Sequence, residues 1–343
     1  LASHPDELDS IARGHYDTIY KGNIADPEAH ASSFATKYQA YLFKGPEFLV
    51  DPIVDTEFME TCQEGPFTAG GVDGWSPRDL TLFPLAVFTW WSYLLNAIEG
   101  GKPWPQGVLH GRTSFMAKHM DKECLDITEQ RLLLLLSTFY RKWSKHRLRC
   151  VHPWIDTWKL DGLFAGIPGR GAEDAWWITS IVIETARMSG IPLSGGAADI
   201  WRCFDQISRT LLYYLLIMGG FPTRILDAYM KFHSDLSVRN LLAGGYGQPY
   251  NKTCSIPQGC PWSMLFIAFL LRPIILLTEV PGTVITRILA DDILLTAMGQ
   301  EHIQAFANSF GLMLGFLHDM GSIISAKKSY LFSTEVHLKQ FLK

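Results

Sequence analysis

The dipeptide Asp291-Asp292 constrains this chain more than any other feature. It is the one Asp-Asp pair in the sequence, and apolar segments flank it on both sides, Ile285-Thr286-Arg287-Ile288-Leu289-Ala290 before and Ile293-Leu294-Leu295-Thr296 after. That pattern predicts a strand, a tight acidic turn and a second strand. Aspartate favours turns, so one reading is an ordinary β-turn. Two adjacent carboxylates between buried strands are nevertheless costly. Like charges about 4 Å apart repel by about 1 kcal/mol in water and about 4 kcal/mol at an effective dielectric of 20. The second reading is a cation site, because a divalent ion removes that repulsion. Hard carboxylate oxygens suit Mg²⁺, which takes one or two of them and completes its shell with water and substrate phosphates.

Asp199 supplies the other half of such a site. It ends a short strand about 90 residues upstream of the pair. If the two strands are neighbours, Asp199 and Asp291 face each other across a sheet. Two metals about 4 Å apart can then clamp an in-line phosphoryl displacement.

Composition bounds the rest. The 343 residues, 48% hydrophobic and 13% aromatic, suffice for a large core or two to three subdomains and exclude a disordered chain. The formal charge of −4 argues at first against a nucleic-acid binder, which is usually basic. Metal-bound carboxylates weaken that objection, since a formal count omits the ions. The six cysteines form no C-x-x-C, which argues against a disulfide framework or a zinc site and fits a reducing, intracellular compartment, nucleus or cytoplasm. No transmembrane segment is expected: the greasiest stretch, residues 264–278, is broken by Arg272-Pro273. A chain opening with Leu1 reads as a piece of a longer product.

Helical patterns are expected at about 6–20 and 29–43, within an entry segment of residues 1–60. Ser76-Pro77 predicts a capped helix running through 80–96. Residues 108–118 read as extended, 173–189 as a helix and 238–256 as a hairpin around Gly244-Gly245. Helices are expected at 203–218, 222–233, from 261, and at 300–316, with a last strand at 327–332. Strands that alternate with helices but also form hairpins favour an α+β fold, with an antiparallel sheet covered by helices on one face. The long run 131–149 begins with leucines and ends in the most basic patch of the chain, Arg141, Lys142, Lys145, Arg147 and Arg149. These residues read either as a solvated helix face or as a phosphate-contacting surface.

Asp199-Ile200-Trp201-Arg202-Cys203-Phe204-Asp205 resembles motif A of reverse transcriptases, D-I-x-x-A-F-D. Ser255-Ile256-Pro257-Gln258-Gly259-Cys260-Pro261-Trp262-Ser263 resembles motif B, Leu289-Ala290-Asp291-Asp292 motif C, and Ser325-Ala326-Lys327-Lys328-Ser329 motif D. Upstream, Gly71-Val72-Asp73-Gly74 is similar to the G-x-D-G of non-LTR retrotransposon and group II intron enzymes. Ala117-Lys118 stands where Pro-Lys is usual, and Arg131, Ser137 and Tyr140-Arg141 keep the spacing of the fingers motif. The resemblance covers about residues 65–333, and the ordered set is more specific than any single motif. Viral RNA-dependent RNA polymerases usually carry Gly-Asp-Asp at motif C, which is absent here.

The resemblance implies a right-hand polymerase fold: an N-terminal extension (1–60), fingers (61–192) and a palm (193–343) with interleaved fingers elements at about 222–256. It implies RNA-directed DNA synthesis on an RNA template and DNA primer, with dNTPs and two Mg²⁺ ions. Asp199, Asp291 and Asp292 would hold the metals, with the Ile200 carbonyl as a further ligand. Phe204 would be the steric gate against a ribose 2′-OH. Gln258 and Gly259 would pack near the nascent pair, and Lys118 and Arg131 would grip the triphosphate. Lys328 would be the general acid for pyrophosphate, with Lys327 an equally close choice. Arg141 to Arg149 would then offer a template or primer surface. Departures are Leu289 for the usual aromatic, Leu132-Leu133 for Pro-Ile, Ser325 for Asn, and a thumb that is missing or reduced to a stub. The alternative readings are a catalytically silent, nucleic-acid-binding relic of a retroelement and a group II intron maturase-type enzyme.

Overall fold

The computed structural model describes residues 4–64, 68–117, 126–127 and 130–335. In chain order the elements are α1 (Pro5–Tyr20), α2 (Pro27–Lys37), α3 (Asp55–Gln63), α4 (Leu85–Glu99), β1 (His110–Ala117), β2 (Gln130–Leu135), α5 (Thr138–Cys150), α6 (His152–Trp158), α7 (Ala172–Met188), β3 (Leu193–Asp199), α8 (Cys203–Gln206), α9 (Arg209–Met218), α10 (Thr223–Asp235), β4 (Ser237–Leu242), β5 (Gly245–Tyr246), α11 (Ser263–Thr278), β6 (Val284–Leu289), β7 (Asp292–Met298), α12 (His302–Asp319) and β8 (Tyr330–Ser333). The fold is α+β. Among the described residues no helix is long and apolar enough to cross a membrane.

Local chemistry explains most boundaries. Asp26, Ser137 and Ser208 each accept a backbone N–H two or three residues on and so cap α2, α5 and α9. The helix expected from Pro77 starts later. Ser76 does close a turn on the Asp79 carboxylate, but Pro84 forces Phe83 into an extended conformation (ψ 136°), and α4 begins only at Leu85. The run 131–149 is two elements: its leucines form β2, and Ser137 opens α5.

The chain divides into two compact units of three segments each. The first holds Leu1–Gly22, Pro46–His152 and Gly220–Ser263, the second Asn23–Gly45, Pro153–Gly219 and Met264–Lys343. Residues 1–60 are divided between the two units, residues 153–192 fall in the second, and residues 220–263 in the first.

In the first unit the sheet order is β2-β1-β4-β5. β1 pairs antiparallel with β2 and parallel with β4. Its core is aromatic. Trp104 packs edge-on against Tyr140, Trp143 and Phe232, and its indole N–H donates to the Ala228 carbonyl at 2.9 Å. Each large buried ring contributes about 3–5 kcal/mol against truncation to alanine.

In the second unit the sheet order is β6-β7-β3-β8, antiparallel throughout. Helix α12 backs one face: Phe306 meets the position a Cβ on Gly196 would take, and His302 Nδ1 lies 2.8 Å from Ser194 Oγ. The glycine pair in β3 is steric. A Cβ on Gly195 would stand 2.5 Å from the Phe332 ring, and one on Gly196 2.8 Å from Phe306. The bare backbone lets β8 and α12 close on either side of the central strand.

Candidate functional site

Strand β3 delivers Asp199 to the edge of the α12-free face, and the β6–β7 hairpin delivers the acidic pair beside it. Asp199 pairs with Asp292 in the β3–β7 register, and Leu289 pairs with Asp292 across the hairpin, so Ala290-Asp291 form the two-residue turn. Ala290 takes φ 56°, a left-handed conformation that costs about 1 kcal/mol in a residue bearing a Cβ. The turn is tied to β3 by the Ile200 N–H, which donates to the Asp291 carbonyl at 3.2 Å.

The loop before β8 completes the arrangement. Ser325 N–H donates to the Asp199 carbonyl at 2.8 Å, and the Asp199 N–H donates to Ser329 Oγ at 3.2 Å. Lys328 Nζ donates to Asp199 Oδ2 at 2.9 Å. This separates Lys328 from Lys327, which the sequence leaves as equals. The Lys328 side chain is 64% exposed and Asp199 is 8% exposed. Asp199 Oδ1 is buried with no hydrogen-bond partner.

Asp292 stands at the open rim. Its carboxyl pKa is raised, first by the protein packed around it and then by the charges of Asp291 and Asp199, against a smaller opposing effect of Lys328. The Cys203 thiol is pushed well up by burial and by Asp291, Asp199 and Asp205, so it is an inert neighbour rather than a nucleophile. An orphaned buried carboxylate oxygen beside a second, mutually repelling carboxylate is a donor set that a hard cation satisfies. Among the described residues no three His, Cys, Asp or Glu side chains converge as a complete ligand group. Mg²⁺ does not require one, since water and phosphate oxygens fill its remaining positions.

A cleft of about 1190 Å³ opens over this face, lined by Asp199, Asp292 and Lys328, by Arg287 and Leu294 of the sheet, and by the first half of α7. Two lining features escaped the sequence reading. Arg287 is one, signalled only as a lone charge in an apolar strand. The other is the pair Trp176 and Trp177, 69% and 63% exposed on α7.

The remaining expected residues fall elsewhere. Phe204, on α8, is 5% exposed and does not line the cleft. Ile200 is buried beside Asp199. Gln258 and Gly259 belong to the first unit, where the Gln258 carbonyl accepts the Leu134 N–H at 3.1 Å. Gly259 takes φ 106°, and a Cβ there would stand 2.7 Å from the Leu134 carbonyl oxygen. Arg131 is exposed on β2, and Lys118 lies outside the described residues.

Each basic side chain of the run has a partner within the protein. The Arg147 guanidinium grips both Glu99 oxygens at 2.6 and 2.7 Å, each side chain 1% exposed, and so has no surface to offer a phosphate. Lys142 Nζ donates to the Thr61, Cys62 and Glu64 carbonyls at 3.4, 2.6 and 3.3 Å, closing the C-terminus of α3. Lys145 donates to the Glu64 carbonyl, and Arg149 pairs with the Glu64 carboxylate at 2.5 Å. Arg141 holds the Ala69 carbonyl at 2.8 Å, beside the Asp73 carboxylate that accepts the Phe139 N–H at 3.1 Å. Gly71-Val72-Asp73-Gly74 thus adds a second acceptor at the N-terminus of α5, beside the Ser137 cap.

No protein-family model matches the chain, and no curated protein is similar enough to count as a relative.

Proposed function

We propose that this chain is the fingers and palm portion of an RNA-directed DNA polymerase of the non-LTR retroelement type. In this reading the second unit is the palm and its Asp199–Asp292 edge the catalytic centre. The observation that carries it is the register pairing of Asp199 with Asp292, with Asp199 Oδ1 left without a partner. Spacing in the sequence could not have produced that meeting by itself, because the two strands are separated by α8 to α11 and β4 to β6.

The reaction is attack of a primer 3′-OH on the α-phosphate of a dNTP. Bound Mg²⁺ would lower the pKa of the attacking hydroxyl and neutralise charge on the leaving pyrophosphate. Asp199 and Asp292, with Asp291 in the turn, offer the carboxylate oxygens. Sheet pairing holds Asp199 and Asp292 rigid, which supplies positioning without reorganisation. Lys328 carries an exposed ammonium 2.9 Å from Asp199 and can give a proton to the departing pyrophosphate. The cleft of about 1190 Å³ lined by α7 and the sheet is where the nucleic-acid end would sit.

Primer extension by the full chain on an RNA template, with dNTPs and Mg²⁺, tests the reading. The expected result is incorporation that Asp291→Ala lowers by at least a hundredfold, the scale of a lost charge-stabilising group. Equal incorporation by the wild type and the variant would overturn the catalytic assignment. Template binding with no incorporation by the wild type would favour a silent relic.

A further inference from the structure

We propose that Arg287 is a phosphodiester-binding residue that holds a backbone phosphate of the nucleic-acid strand in the cleft, two residue pairs inward from the Asp199–Asp292 level. The inference rests on the reading of this cleft as a nucleotidyl-transfer centre and adds the residue that seats the strand there.

Three observations carry it. First, placement: Leu289 pairs with Asp292 and Arg287 with Leu294, so alternation puts Arg287 on the same sheet face as Asp292. Two residues along a strand is about 7 Å. Second, an unfilled donor: Arg287 lines the cleft, is 6% exposed, and its Nη1 is buried with no hydrogen-bond partner. Glu279, just past α11, is the acid whose charge acts on it, and it leaves Nη1 without a hydrogen bond. The guanidinium itself does not give up its proton. Third, the surroundings choose among anions. Glu173, Asp174, Asp199 and Asp292 also line the cleft, so a free small anion meets net negative charge there. A strand brings base stacking besides its phosphate, and Trp176 and Trp177 present exposed rings at the same cleft. The guanidinium fork matches phosphate bidentately.

The test is fluorescence anisotropy of the full chain with a labelled DNA primer annealed to an RNA template, in EDTA, over a range of salt. Arg287→Met is expected to weaken binding about tenfold and to reduce the salt slope by about 1. Arg287→Lys is expected to keep the slope. Thermal melts run alongside separate binding from folding. Arg287→Met is expected to melt no lower than the wild type, because a buried donor without a hydrogen bond has been removed. The proposal is overturned by unchanged affinity and slope in Arg287→Met. It is equally overturned by no binding to the unsubstituted chain, by a lowered melting temperature in that variant, or by inorganic phosphate competing as well as the duplex. Primer extension reads the polymerase assignment separately. Binding that depends on Arg287 without incorporation removes only the polymerase reading. Incorporation and binding at wild-type level by Arg287→Met remove only the role of Arg287.

Discussion

At Asp292 the residue chemistry has a thermodynamic signature that needs no activity assay. A carboxyl whose pKa is raised in the folded state is disfavoured when ionised, so the penalty is present above that pKa and disappears as pH falls through it. Asp292→Asn should therefore melt about 1–2 °C above the wild type at pH 7 in EDTA. The gap should close on acidification, because the wild-type side chain then becomes neutral as well. Mg²⁺ should raise the wild-type melting temperature and leave Asp292→Asn nearly unmoved, since a ligand stabilises only the state that binds it. A melting temperature for Asp292→Asn below the wild type at every pH would contradict this account. Asp291 and Asp292 stand out in the sequence because their chemistry is local: adjacent carboxylates repel wherever they sit. Lys328 was legible only as one of two, and Arg287 only as an oddity in an apolar strand. What separates Lys328 from Lys327 is a 2.9 Å contact, and contacts are not sequence properties.

Helix α5 shows how an element can mislead. Five basic side chains in nine residues read equally well as a solvated face or a phosphate surface, because net charge says nothing about which face is turned inward. In the fold they are spent on α3, on the loop at Ala69 and on the buried Glu99. Arg147 and Glu99 form a fully desolvated, bidentate pair to which the Trp143 indole also donates at 2.8 Å. Removing one partner strands the other, so Glu99→Gln is expected to lower unfolding free energy by about 3–5 kcal/mol in urea titrations. The double variant Glu99→Gln with Arg147→Met should recover part of that loss, because the stranded charge is gone. A double variant that adds the two single effects would show that the pair does not act as a unit. The β6–β7 hairpin is the opposite case. Both strands were read close to their observed positions, since apolar runs on either side of a short acidic turn leave few alternatives, and the turn, expected at Asp291-Asp292, falls one residue earlier at Ala290-Asp291.

For the whole molecule, the decisive feature is that neither unit is contiguous in the chain. The second unit needs residues 23–45, where Phe34 and Tyr38 pack against Phe316 with ring centroids 5.2 and 4.7 Å apart. The fragment 153–343 lacks them and carries 220–263, which belongs to the other unit. It is expected to melt without a cooperative transition by circular dichroism, whereas the full chain melts cooperatively. A sharp transition in the fragment would show that the interleaving is dispensable. The sequence by itself determined the α+β class, the strand–turn–strand around Asp291-Asp292, and the repulsion of that adjacent pair, because periodicity, turn chemistry and like-charge repulsion act over a few residues. The tertiary structure alone decided that Asp199 stands opposite Asp292, that Lys328 rather than Lys327 reaches it, that Arg287 Nη1 lies without a hydrogen bond at the cleft, and that each basic side chain of α5 has a protein partner. Those outcomes depend on register and burial between segments tens of residues apart, and only the packed chain sets them.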